Sequence, residues 1–121
     1  MDEITIQEIM QNMHRAFSPE NAQGIRAVIQ LHVTGDEPGD WIIRIQDGQC
    51  EVSEGQSAGA DLVFTVEARD FLEMLQGRLN PLSAYMMGRL DFRGNSTLAM
   101  KLPSLFAKGM AYLKQQRGQD Q

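Results

Sequence analysis

The spacing of apolar residues changes period twice along this chain, which excludes both an all-helical and an all-strand fold. From Ile6 to Phe17 the apolar positions Ile6, Ile9, Met10, Met13 and Phe17 recur every three or four residues, as on one face of a helix. From Ile25 the period drops to two. Ile25, Ala27, Ile29, Leu31 and Val33 alternate with Arg26, Gln30, His32 and Thr34, the pattern of a strand with one buried face. Trp41, Ile43 and Ile45 repeat the alternation, followed by Cys50 and Val52, and then by Leu62, Phe64 and Val66. After Glu67 the helical spacing returns. Strands first grouped and then followed by helices define an α+β chain.

The punctuation between these segments agrees with that reading. Thr5-Ile-Gln-Glu8 is a capping box, and Ile4 and Ile9 are spaced as a hydrophobic staple across it. Ser18-Pro19 ends this first helix. Breakers from Gly35 to Gly39 predict a turn, and Asp47-Gly48 predicts a two-residue hairpin. Strands joined in this way predict an antiparallel meander. Further on, Gly77 stands where a helix over 67–76 should stop. Asn80-Pro81 opens a short helix that Gly88 closes, Leu90 and Phe92 form a short fifth strand, and Asn95 caps a helix running through Met100. Pro103 should bend or restart that helix, leaving a last helix with Leu105, Phe106, Met110 and Leu113 on its apolar side. The pattern fits one domain over 1–121, with a flexible polar tail from about residue 115.

Catalytic chemistry is sparse. His14 and His32 belong to no His-Glu-x-x-His arrangement, and Cys50 has no second cysteine, so no metal site and no internal disulfide is expected. No serine sits in a Gly-x-Ser-x-Gly elbow, and no glycine cluster forms a phosphate-binding loop. Asp36/Glu37 and Glu51/Glu54 read as solvated charge. Chemistry on a bound molecule would need carboxylates or His32 to converge on it. The sequence therefore assigns no catalytic residue and no cofactor. The formal charge is −5 and the basic residues are scattered, which argues against nucleic acid and leaves at most transient membrane contact. No apolar run approaches the ~20 residues of a membrane span. The acidic start Met1-Asp-Glu-Ile lacks a basic leader, and Gly118-Gln-Asp-Gln121 is no peroxisomal address, so cytoplasmic residence is the expectation.

One ordered set of residues goes further. Ala60-Asp61 opens a strand, Asp70-Phe71-Leu72 opens a helix, and Gly77, Asn80-Pro81, Ala84, Gly88-Arg89-Leu90, Gly94-Asn95 and Ala99-Met100-Lys101-Leu102 follow in turn. This order and spacing resembles the sterol carrier protein type-2 family. The resemblance implies a five-stranded, mainly antiparallel sheet covered by helices, with an apolar tunnel or cavity between them. It implies a carrier and not an enzyme, with a fatty acid, fatty acyl-CoA, sterol or isoprenoid lipid as the guest. Candidate lining residues are Ile9, Met13 and Phe17 from the first helix, and Trp41, Ile43, Phe64, Leu90 and Phe92 from the strands. The later helices offer Leu75, Tyr85, Met86, Leu98, Leu102, Leu105, Phe106 and Met110. Arg15 and Arg26 are candidates to pair with an acidic head group. Eight methionines suit a wall that adapts to variable guests. The alternative is an accessory or interaction module beside a lipid- or quinone-metabolising enzyme, with a homodimer as its indicator. Many eukaryotic members of the family are basic and carry a peroxisomal address; this acidic chain differs in both respects.

Overall fold

The strands are β1 (Ala27–Thr34), β2 (Gly39–Gln46), β3 (Gln49–Glu54), β4 (Leu62–Glu67) and β5 (Leu90–Gly94), and they lie in one sheet in the order β3-β2-β1-β4-β5. Among the described residues the helices are α1 (Ile6–Gln11), α2 (Met13–Ala16), α3 (Ala68–Leu75), α4 (Pro81–Met86) and α5 (Ser96–Leu105), with a 3-10 turn at Pro19–Asn21. This computed structural model describes residues 5–76 and 78–106. The expectations for Ile4, Gly77, Met110, Leu113 and the tail lie outside the described residues.

The expected meander is corrected at one strand. β4 pairs with β1 and runs parallel to it, while the β1–β2, β2–β3 and β4–β5 pairs are antiparallel. In a meander β4 would have extended the sheet beyond β3. Burial explains the difference. β4 carries Leu62 and Val66, exposed by 2% or less, and needs an interior position, whereas β3 is mostly polar and suits an edge. Polar contacts fix the crossover. The Asp61 carboxylate accepts from the Val28 amide at 2.8 Å, and the Asp61 amide donates to the Val28 carbonyl at 2.7 Å. Gln30, buried on the sheet's other face, donates to the carbonyls of Trp41 (3.1 Å) and Gly55 (2.9 Å) and accepts from the Ser57 amide (2.6 Å). One side chain thus holds the segment that carries the chain from the edge strand across to β4.

Local signals hold elsewhere with two changes. The Thr5–Glu8 capping box forms, but the first helix breaks at Asn12 (φ −110°, ψ 9°), whose side-chain amide donates to the Glu8 carbonyl at 2.8 Å. Glu37, read as solvated charge, instead accepts from the amides of Ile6 (2.7 Å) and Gln7 (3.0 Å). A carboxylate there satisfies free helix donors and complements the helix dipole, and it ties α1 to the β1–β2 turn. Asp47 and Gly48 both have positive φ (52° and 71°), as a type I′ hairpin requires. Asn80 and Asn95 cap α4 and α5 as read.

The second change is at Pro103, which lies inside α5 and neither ends nor restarts it. Proline removes one helical hydrogen bond, but tertiary contacts hold the end of α5. The Ser18 amide donates to the Leu105 carbonyl at 2.8 Å, the Asn21 side chain donates to the Ser104 carbonyl at 2.9 Å, and Leu105 is fully buried.

Strand register sorts the side chains into two faces. Ala27, Ile29, Leu31 and Val33 share the inner face with Trp41, Ile43 and Ile45 of β2 and with Leu62, Phe64 and Val66 of β4. These residues join Ile6, Ile9, Met10, Met13, Phe17, Ala84, Leu98 and Leu105 in one hydrophobic core, so the helices cover this face. On the outer face Gln30 and Ile42 are buried against the crossover segment, while His32 and Arg44 are half-buried and exposed respectively.

Candidate functional site

Across the inner face one register row carries most of the sheet's aromatic surface. Leu31 pairs with Trp41 on one side and Phe64 on the other, and Phe64 pairs with Phe92 on β5. The Phe64 and Phe92 ring centroids are 6.0 Å apart, and Tyr85 from α4 lies 4.9 Å from Phe92. Exposure rises along this row. Trp41 and Leu31 are buried, Phe64 and Phe92 are half-buried, and Tyr85 is 45% exposed.

The helical cover shows the same gradient. Ile9, Met13 and Phe17 of the N-terminal part are buried, as are Ile43, Leu90, Leu98 and Leu105. Leu75, Leu102 and Phe106 are half-buried and pack against the core. Phe106 also meets Phe17, at 5.7 Å between centroids. Phe71, Leu72 and Met74 of α3 are half-buried alongside Leu75 and were not among the candidate wall residues. The signal for them was available: apolar residues at 71, 72, 74 and 75 occupy more than one helix face, and a single sheet contact cannot seal them all. Met86 is a correction. At 78% exposure it lies on the surface and belongs to no interior wall, and Tyr85 lies at the rim. Met110 lies outside the described residues. Arg15 on α2 and Arg26 just before β1 are both exposed.

The polar groups serve the frame. Arg89, just before β5, donates from Nη2 to Asp70 Oδ1 at 2.5 Å, and Asp70, in the first turn of α3, is buried. That hydrogen bond and the nearby Asp70 charge push the Arg89 pKa up. His32 lies on the outer face, away from the apolar row. Its Nδ1 pairs with Asp40 Oδ1 at 2.6 Å, and Gln56 donates to Asp40 Oδ2 at 2.7 Å. These two hydrogen bonds, the His32 one first, hold the Asp40 carboxyl below its usual range. Burial pushes the Cys50 thiol up to about 11, so it stays protonated at neutral pH. Among the described residues no group of three or more His, Cys, Asp or Glu is placed to hold a metal ion. Among them, too, no helix is long and apolar enough to cross a membrane.

A sheet of this order, with helices on one face and an apolar row running from core to surface, defines an α+β fold with a five-stranded, mostly antiparallel sheet. The chain belongs to the SCP-2 sterol transfer family, whose profile matches residues 6–107. A Xenopus laevis relative, hydroxysteroid dehydrogenase-like protein 2, is 28% identical over 93% of this chain, and the chain spans about a quarter (27%) of that relative's length. The solution structure of sterol carrier protein domain 2 of Helicoverpa armigera matches with a TM-score of 0.71 at 25% identity, over 85% of this chain and 87% of that one. The solution structure of palmitated SCP2L2 from Aedes aegypti gives 0.69 at 24%, covering 85% and 95%. The sec-alkylsulfatase Pisa1 from Pseudomonas sp. gives 0.76 at 14%, covering 85% of this chain and only 16% of that enzyme, so the likeness is one of fold.

Proposed function

We propose that this chain is a non-enzymatic carrier holding the aliphatic tail of a lipid between the inner face of the sheet and helices α3 and α5. The observation that carries this reading is the contrast in sealing. The N-terminal side of the core is closed, whereas Phe64, Phe92, Leu72, Leu75, Leu102 and Phe106 are all apolar and all half-buried. Water-exposed apolar surface costs free energy, and a guest tail removes it. Each buried methylene contributes about 0.8 kcal/mol, so a long chain gains on the order of 10 kcal/mol before its ordering cost. Tail burial rewards length over identity, which favours broad selectivity among fatty acids, fatty acyl-CoA, sterols and isoprenoid lipids. The palmitated relative supports a single acyl chain as the first ligand to try. Arg15 and Arg26 are the side chains we assign to an acidic head group.

A second reading rests on the length comparison. The same module occupies 27% of a dehydrogenase-like relative and 16% of an alkylsulfatase, which supports an accessory role beside a lipid-processing enzyme. Native mass spectrometry with lipid extraction separates the two. Co-purified acyl lipid, or displacement of a fluorescent fatty acid, is expected of the carrier. Leu102→Trp should weaken that binding about tenfold by filling the space, while surface Met100→Trp leaves it unchanged. A protein that stays empty and refuses fatty acid overturns the carrier reading in favour of the module.

A further inference from the structure

Exposed apolar surface is concentrated on one short element. Leu82, Tyr85, Met86 and Met87 are 65%, 45%, 78% and 59% exposed, and they lie on α4 or at its C-terminal cap. Among the described residues the other large hydrophobic side chain so exposed is Met100 on α5. From Leu79 to Gly88 no side chain is charged, and Arg78 and Arg89 bracket the segment. In a chain of formal charge −5, this is an uncharged apolar patch with an arginine at each end. Arg78 pairs with Glu73 at 3.0 Å and Arg89 with Asp70, yet a guanidinium has five N–H donors and keeps several for another acceptor. The patch is continuous with the proposed lipid site through the Tyr85–Phe92–Phe64 rings.

We infer that α4 docks this protein on the surface of an anionic phospholipid bilayer, with Leu82, Met86 and Met87 entering the acyl boundary and Arg78 and Arg89 facing head-group phosphates. The inference rests on the carrier reading, since a carrier must exchange its guest with a membrane. Apolar side chains outward, arginines at the margin and a tyrosine at the rim are the features of an interfacial segment. A two-fold homodimer through this face suits it less, because each patch would meet its own copy and bring like-charged arginines together.

Flotation with vesicles of phosphatidylcholine mixed with phosphatidylglycerol tests the inference. The wild type is expected to float, less so with phosphatidylcholine alone. The triple variant Leu82→Ser, Met86→Ser, Met87→Ser should lose about tenfold or more in partitioning, and Met100→Ser should float as the wild type does. A wild type that does not float, or a triple variant that floats equally, overturns the inference. So does a wild-type dimer in gel filtration that the triple variant dissolves, since a second copy would then occupy α4. Should the triple variant aggregate, Met86→Cys with a polarity-sensitive dye reads the contact directly. Half-buried Cys50 is replaced by Ser in this variant so that the dye reports position 86 alone; a blue shift on adding vesicles supports docking, and none overturns it. Fluorescent fatty-acid binding in detergent-free solution keeps the two readings apart. Fatty acid bound without flotation sinks the docking face alone; flotation without fatty acid leaves the docking face and sinks the carrier.

Discussion

The Arg89 guanidinium reaches back nineteen residues to the Asp70 carboxylate, joining the residue just before β5 to the first turn of α3. The pair closes the segment that contains α4, so it fixes how the apolar patch sits on the sheet. Removing Asp70 leaves the cation without its partner and frees the first turn of α3 from a favourable acid. Asp70→Ala is expected to lower the thermal midpoint more than Glu73→Ala, because the 3.0 Å Arg78–Glu73 pair is the more exposed of the two. Arg89→Lys should lower the midpoint less than Asp70→Ala does, since the contact is a single Nη2–Oδ1 hydrogen bond and lysine keeps the charge. Scanning calorimetry of the three variants checks the order.

Gly94 is fixed by a close approach. Its φ is 112°, and a Cβ there would lie 2.3 Å from the Asp61 carbonyl oxygen, a backbone atom that also accepts from the Asn95 amide. Gly94→Ala is expected to destabilise by about 3 kcal/mol, whereas Gly48→Ala, with positive φ but open space, should cost about 1 kcal/mol. Urea unfolding of both variants measures the difference.

Gln30 holds the crossover from inside. Gln30→Leu leaves the Gly55 carbonyl and the Ser57 amide without their side-chain partner, at an expected cost of about 2–4 kcal/mol. Hydrogen exchange should quicken at 55–61 before it does in β1. Unchanged exchange there would mean that the strand pairing alone positions β4.

Asp40 gives the fold an acid-sensitive contact. Its pKa is lowered in the folded state, so its contribution is complete above the unfolded carboxylate value near pH 4 and is lost as pH falls through the lower folded value. Both partners are about one-third exposed, which limits the effect to about 1 kcal/mol or less. Asp40→Asn should be slightly less stable than the wild type at pH 6, with the gap closing below about pH 4. Denaturation midpoints across that range test this.

Much of the fold was legible because it is written at short range. The capping box at Thr5, the turn at Asp47-Gly48 and the asparagine caps at 80 and 95 each depend on neighbours within four residues. Period-two alternation fixed which strand residues share a face. The candidate wall was legible only in part. Ile9, Trp41 and Leu98 could be read as apolar, but their sealing could not be told apart from the half-burial of Phe64 or Leu102, and Met86 was placed inside when it lies outside.

The sequence by itself determined the α+β class, the extents of most elements and the family, since each follows from local periodicity, caps and an ordered set of punctuating residues. Tertiary structure alone decided that β4 lies parallel beside β1, that α5 continues through Pro103, that Glu37 caps a helix 30 residues away, and that α4 turns its methionines outward. The physical reason is common to all four. Each is settled by which distant groups compete for burial and for hydrogen bonds, and that competition leaves no trace in the spacing of neighbouring residues.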